Sequence, residues 1–266
     1  MRVGVIGTHW GRMHIGGFRG AGAEIAALCG RDLEATRRAC AEEGVALATT
    51  DVGALCRAVD LVVVASPDRV HAAHVRAAIA AGCHVLCEKP LTRGVADAAA
   101  LVELTAASDR THAVNFPYRM LPPLRTLADW LRTRGPARAT QVRVRNSFLS
   151  AGTGETDDDD AMLRASGDLG GLSHVIDAAL WLLDARPRDV QATLRGRPVG
   201  DAGLLLRLDG GGTLAIAHVA SVVPGIWGDW HIVGDDYEVR LAGGYVPALA
   251  GWQLGPVEVA GRDGTW

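Results

Sequence analysis

The stretch "GVIGTHWGRMH", Gly4 to His14, decides how the rest of the chain is read. It completes a short apolar run, "RVGVI", and leads into a helix expected from about Trp10 to Arg19. A turn between a first strand and a first helix is where a dinucleotide-binding loop would stand. In the usual G-x-G-x-x-G the first glycine makes the tight turn and the second lets the backbone approach a pyrophosphate. The third lets helix and strand pack closely. Here Gly7 and Gly11 are present, His9 stands where the second glycine would, and a six-position count puts Arg12 last. The stretch reads as a shortened loop, G-T-H-W-G, or as a plain glycine-containing βα turn.

Working outward, strand and helix signals alternate. "EIAALC" (Glu24–Cys29), the β-branched "LVVVAS" (Leu61–Ser66), "HVLCEKP" (His84–Pro90) and "THAVNF" (Thr111–Phe116) read as strands. Helices are expected over Asp32–Gly44, with Asp32 as N-cap and Gly44 as stop, over Arg69–Gly82 and over Val95–Ala107. This alternation specifies an α/β fold, a Rossmann-type doubly wound parallel sheet over residues 1–117. From 118 to 266 the pattern becomes α+β with a predominantly antiparallel sheet. Helices are expected over Leu121–Arg134 and Leu169–Leu183, with an alternating strand over Ala139–Leu149. "GLLLRLDGGGTLAIAHVA" and "DWHIVGDDYEVRLAGG" then read as hairpins. Between them, "SAGTGETDDDD" (Ser150–Asp160) reads as a polar loop, its Asp157–Asp160 run as solvated.

The 266 residues are 48% hydrophobic and 21% charged, with a net charge of −3. No basic surplus points to nucleic acid, and no apolar run is long enough to span a bilayer. The start "MRVGVIG" lacks the basic, apolar and cleavage regions of a secretory signal. Five cysteines without a C-x-x-C pair fit reduced structural thiols. A cytoplasmic chain with a small-molecule substrate is the expectation.

The second strand ends "LCGRD", without a carboxylate at its tip. An NAD site would present an acid to the ribose 2′-hydroxyl about twenty residues past the first glycine, whereas Arg31 can pair with a 2′-phosphate. NADP(H) is therefore favoured over NAD(H), although Arg31 also reads as an ordinary solvated loop arginine.

"ASPDRVHAAHVRAAIAAGCHVLCEKPLTRGVADAAALV", Ala65 to Val102, resembles the Gfo/Idh/MocA oxidoreductases. The likeness lies in a strand ending S-P, a helix with an early histidine, and a strand ending E-K-P. It continues more faintly through "VNFPYRMLPPLRTL" and "GGLSHVIDAALWLLD". It implies that Lys89 lies beside nicotinamide and substrate and moves the proton, that the bond before Pro90 is cis, and that Glu88 orients cofactor groups. It further implies that Ser66, Pro67 and His71 line the nucleotide with Gly7, Thr8, His9, Trp10 and Gly11. Asn115, Tyr118 and Arg119 would face substrate. The His9 side chain is expected to point away from the phosphates or to donate to them. His174 and Asp177, a candidate catalytic pair, match the last two polar places of the family's D-x-G-x-H-x-x-D pattern, in which the His serves as acid/base and the first Asp assists. Gly170 holds the first acid's place, and Asp168 could reach in instead.

His71 and His74 are spaced i,i+3, too few ligands for a metal site. His218, Trp227 and His231 fall on expected strands, toward a cleft or an interface. The resemblance implies a homodimer or homotetramer. Two alternatives stay open. "GTHWGRMH" looks like the G-T-x-F-G-x-x-Y/H loop of thiazolinyl imine reductases, which would mean C=N reduction. A non-catalytic cofactor-binding sensor is the other.

Overall fold

A computed structural model describes residues 1–147, 172–195, 201–220, 225–246, 251–261 and 264–265. Contacts divide the chain into two compact units, Met1–Asn115 and Phe116–Trp266.

In the first unit six parallel strands form one sheet: β1 (Arg2–Ile6), β2 (Glu24–Cys29), β3 (Leu47–Thr49), β4 (Leu61–Val64), β5 (His84–Cys87) and β6 (His112–Val114). Their order is β3-β2-β1-β4-β5-β6. The chain therefore winds outward in both directions from β1 and β4, and sheets of this kind bind ligands at the carboxyl ends where that reversal occurs. Alternate residues of a strand face opposite sides of the sheet. Val62 and Val64 pack in one core cluster and Val63 and Ala65 in another, so β4 is continuously apolar because it is covered on both faces.

The flanking helices are α1 (Ile15–Gly20), α2 (Leu33–Glu43), α3 (Val52–Arg57), α4 (His71–Ala80) and α5 (Val95–Ala106). Asp32 caps α2, its carboxylate accepting from the Ala35 N–H at 2.6 Å, and Gly44 ends it at φ 63°. The helix expected over Trp10–Arg19 is instead two pieces, a 3-10 turn over Trp10–His14 followed by α1. Three glycines in a short span (Gly11, Gly16, Gly17) weaken a continuous α-helix there. The pair β3 and α3 carried no sequence signal, because three residues of strand and six of helix are too short for a period to register.

The second unit is built on an eight-stranded sheet. Its strands are β7 (Ala139–Ser147), β8 (Pro187–Arg195), β9 (Asp201–Leu208), β10 (Thr213–Ala220), β11 (Gly225–Val233), β12 (Tyr237–Val246), β13 (Gly251–Gly261) and β14 (Gly264–Thr265). The order is β14-β13-β12-β11-β7-β10-β9-β8. Every pair is antiparallel except β7 with β10, which run parallel at the centre. Two helices fill one face, α6 (Pro122–Arg132) and α7 over residues 172–183. Leu124, Leu127, Ala128 and Leu131 of α6 share a core with Leu172, Val175, Ala179 and Leu182 of α7. Leu183, next to Leu182, is only partly buried. Asp157–Asp160, Asp168 and Gly170 lie outside the described residues.

Candidate active site

The carboxyl edge of the first sheet is drawn together by close backbone approaches. Gly7 leaves β1 at φ 113°, and a Cβ there would sit 2.3 Å from the Ala65 carbonyl oxygen. Only glycine fits, because both the conformation and the space exclude a side chain. A Cβ on Gly11 would lie 2.6 Å from Val5 Cγ1, so Gly11 lets the 3-10 turn press against β1. The outer two glycine functions of a dinucleotide loop are thus met in the shortened sequence, and a pyrophosphate cradle fits this turn. His9 and Trp10 are exposed at its rim, while Thr8 packs against Gly30 at the end of β2. Arg31 is exposed at that end, whereas the Asp32 carboxylate is occupied in capping.

Beyond β5, Glu88 is 6% exposed and holds a polar cluster. Its Oε1 is 2.9 Å from His14 Nε2 and accepts from Asn115 Nδ2 at 2.7 Å. Its Oε2 accepts from the Lys89 N–H at 3.2 Å. Burial pushes the Glu88 carboxyl up, but these bonds outweigh it and hold the group down at about 2. His14 is the residue the sequence reading missed. It closes the same "GTHWGRMH" stretch, and its spacing from Gly7 was the available signal.

Next to this anion stands Lys89, in a cis peptide bond with Pro90. Burial lowers the Lys89 ammonium below the usual lysine range, and the neighbouring Glu88 charge only partly opposes this. Among the described residues its ammonium makes no hydrogen bond or ion pair. Lys89 is also the only lysine of the chain, every other member of the 27 Lys and Arg residues being arginine. Arginine stays charged at any ordinary pH, whereas lysine can shed its proton.

The two histidines of α4 both turn to the segment leaving β4. His71 approaches the Ser66 carbonyl, and His74 Nδ1 is 2.9 Å from Ser66 Oγ. Pro67 opens the turn that leads into α4.

The second unit gathers the remaining candidates. A 3-10 turn over Pro117–Met120 carries Tyr118 and Arg119. His174 of α7 stacks on the Tyr118 ring at 5.0 Å and meets Phe116 edge-on at 5.9 Å. One turn along α7, Asp177 accepts two hydrogen bonds from Arg119, one from Nε at 2.8 Å and one from Nη2. That bidentate pairing raises the Arg119 guanidinium further, and burial opposes it less. Of the softer candidates, His218 is buried within β10, Trp227 is exposed on β11, and His231 is 2.9 Å from Glu238. No cluster of metal-ligating side chains occurs among the described residues. Nor, among them, is any helix long and apolar enough to cross a membrane.

Strand order, the glycine pair and the polar carboxyl edge define a Rossmann-type domain of the dinucleotide-binding class. Residues 1–116 match the Gfo/Idh/MocA family, described as an oxidoreductase family with an NAD-binding Rossmann fold. Among curated relatives, inositol 2-dehydrogenase of Streptomyces avermitilis is 35% identical over 211 residues. Those residues are 76% of this chain and 59% of the relative, so the chain spans less than two thirds of it. Among solved structures, an oxidoreductase domain protein from Kribbella flavida superimposes with a TM-score of 0.78 at 25% identity. The match covers 95% of this chain and 80% of that one. A levoglucosan dehydrogenase in complex with NADH shares the fold at TM-score 0.82 and 18% identity, over 98% of this chain and 76% of that one.

Proposed function

We propose that the chain is an NADP(H)-dependent dehydrogenase of a small polyol or sugar-like substrate, with Lys89 as the group that gives or takes the proton. The observation that carries this reading is Lys89 itself: the sole lysine, partly desolvated, beside a carboxylate fixed by other donors. A partly buried ammonium that holds its proton less tightly than usual suits general acid–base work on an alcohol or carbonyl oxygen. The relatives' activities on inositol and levoglucosan support the substrate class.

A bound nicotinamide dinucleotide would supply the redox chemistry. The chain's residues supply the rest. Gly7, Thr8 and Gly11 would hold the pyrophosphate, with His9 and Trp10 at the rim, and Arg31 the 2′-phosphate. Ser66, Pro67 and Glu88 would border the nicotinamide half. Asn115, Tyr118 and Arg119 are assigned to the substrate. His174 assists proton transfer, and Asp177 keeps the Arg119 guanidinium oriented. In its working form the chain pairs with further copies as a homodimer or homotetramer.

The test is to mix the purified protein with NADP+ or NAD+ and with inositol or levoglucosan, following the absorbance of the reduced nicotinamide. Turnover with NADP+ preferred, lost in Lys89→Ala, supports the reading. Failure to bind either cofactor at millimolar concentration overturns it. Oxidation of NADPH by a cyclic imine, without polyol turnover, turns it to C=N reduction. Cofactor binding with no turnover at all leaves a sensor.

A further inference from the structure

His71 opens α4 and is 2% exposed, yet both of its ring nitrogens face backbone oxygens. Nε2 lies 2.6 Å from the Ser66 carbonyl, and Nδ1 lies 2.9 Å from the Pro90 carbonyl. A carbonyl oxygen only accepts, so each contact is a hydrogen bond when its nitrogen carries a proton: one of the two in the neutral ring, both in the imidazolium. Ser66 belongs to the segment leaving β4, and Pro90 follows directly on Lys89 at the exit of β5. The side chain therefore bridges the exits of two adjacent strands. Polar neighbours are engaged elsewhere: His74 with the Ser66 hydroxyl, and Asp68 with Arg93 at 2.8 Å. A ring enclosed in this way offers no nitrogen to a ligand.

We infer that His71 is a positioning residue for Lys89 rather than a lining residue of the nucleotide. Its ring fastens the Lys89–Pro90 turn to the segment carrying Ser66, and the Nδ1 bond to Pro90 is the one that fixes the lysine. The inference rests on the reading of Lys89 as the proton-transferring group.

The two bonds can be cut separately. An asparagine amide nitrogen reaches about where Nδ1 lies and a glutamine amide nitrogen about where Nε2 lies. His71→Asn therefore keeps the Pro90 bond, His71→Gln keeps the Ser66 bond, and His71→Ala loses both. With NADP+ and inositol, the Gln and Ala variants are expected to lose about 10- to 100-fold in kcat, the Asn variant about threefold or less. KM for NADP+ should change alike in all three. A second readout needs no turnover: with ε-13C-lysine, Lys89 gives the protein's single lysine side-chain signal. That signal should move in the Gln and Ala variants and stay in place in Asn.

Equal kcat losses in Asn and Gln, or a Lys89 signal unmoved in Ala, would overturn the inference and leave His71 a packing residue. The reading of Lys89 fails separately, if Lys89→Ala turns over as fast as wild type.

Discussion

Glu88 in the N-terminal unit and Asp177 in the C-terminal unit are both largely enclosed carboxylates, with side chains 8% and 12% exposed. They are satisfied by opposite means. Asp177 meets a guanidinium in a two-bond fork, so its charge is cancelled where it stands. Glu88 is held by an imidazole, an amide and a backbone N–H, which stabilise the anion without supplying a permanent cation. The cation beside Glu88 is Lys89, whose ammonium is loosened by burial. One unit closes its ion pair, and the other keeps a proton in reserve. On the proposed function, this contrast puts the main proton transfer at Lys89 beyond β5, with His174 of α7 assisting and Asp177 orienting Arg119.

The largest effect expected from disturbing this contrast is kinetic. Lys89→Ala should lower kcat by about 10²- to 10⁴-fold with cofactor affinity nearly intact, measured by steady-state kinetics and NADPH fluorescence. Lys89→Arg should rescue little, because a guanidinium does not give up its proton. A comparable loss in Asp177→Asn with none in Lys89→Ala would reverse the assignment of the two units.

Next comes stability. The Glu88 carboxyl sits at about 2 in the folded chain against a free value of 4.5, worth on the order of 3 kcal/mol. A depressed carboxyl stabilises the fold above its unfolded value. That contribution disappears as pH falls from the free value through about 2. Denaturant unfolding across this window should show the loss in wild type and a flatter profile in Glu88→Gln. Identical profiles would mean that the cluster contributes nothing.

Breaking the Arg119–Asp177 fork should cost about 1–3 kcal/mol, since the guanidinium is partly exposed and screened. A double-mutant cycle in urea separates the pair's coupling from each side chain's packing. The smallest effect is selectivity. Arg31→Ser should shift preference from NADP(H) toward NAD(H) by about tenfold, or 1.4 kcal/mol, read as the ratio of the two Kd values.

Much of this was legible in the chain. Alternating apolar runs specified the Rossmann unit, Asp32 and Gly44 marked the ends of α2, and "CEKPL" pointed to Lys89. Other features were not, for physical reasons. A three-residue strand such as β3 carries no period. His14 reaches Glu88 across 74 residues, and that partnership depends on how a 3-10 turn replaces a helix. The stacking of Tyr118 on His174 depends on packing that no local spacing encodes. That Lys89 is the lone lysine was readable from the chain, whereas its partial burial depends on the fold.

The most direct test of the account titrates that lysine. ε-13C-lysine labelling gives one side-chain signal, followed from pH 6 to pH 12 in the cofactor-free protein. The account predicts a midpoint clearly below the roughly 10.4 of a free lysine, moving further down in Glu88→Gln, where the opposing charge is gone. A midpoint at or above the free value would contradict it and make Lys89 an ordinary charged side chain.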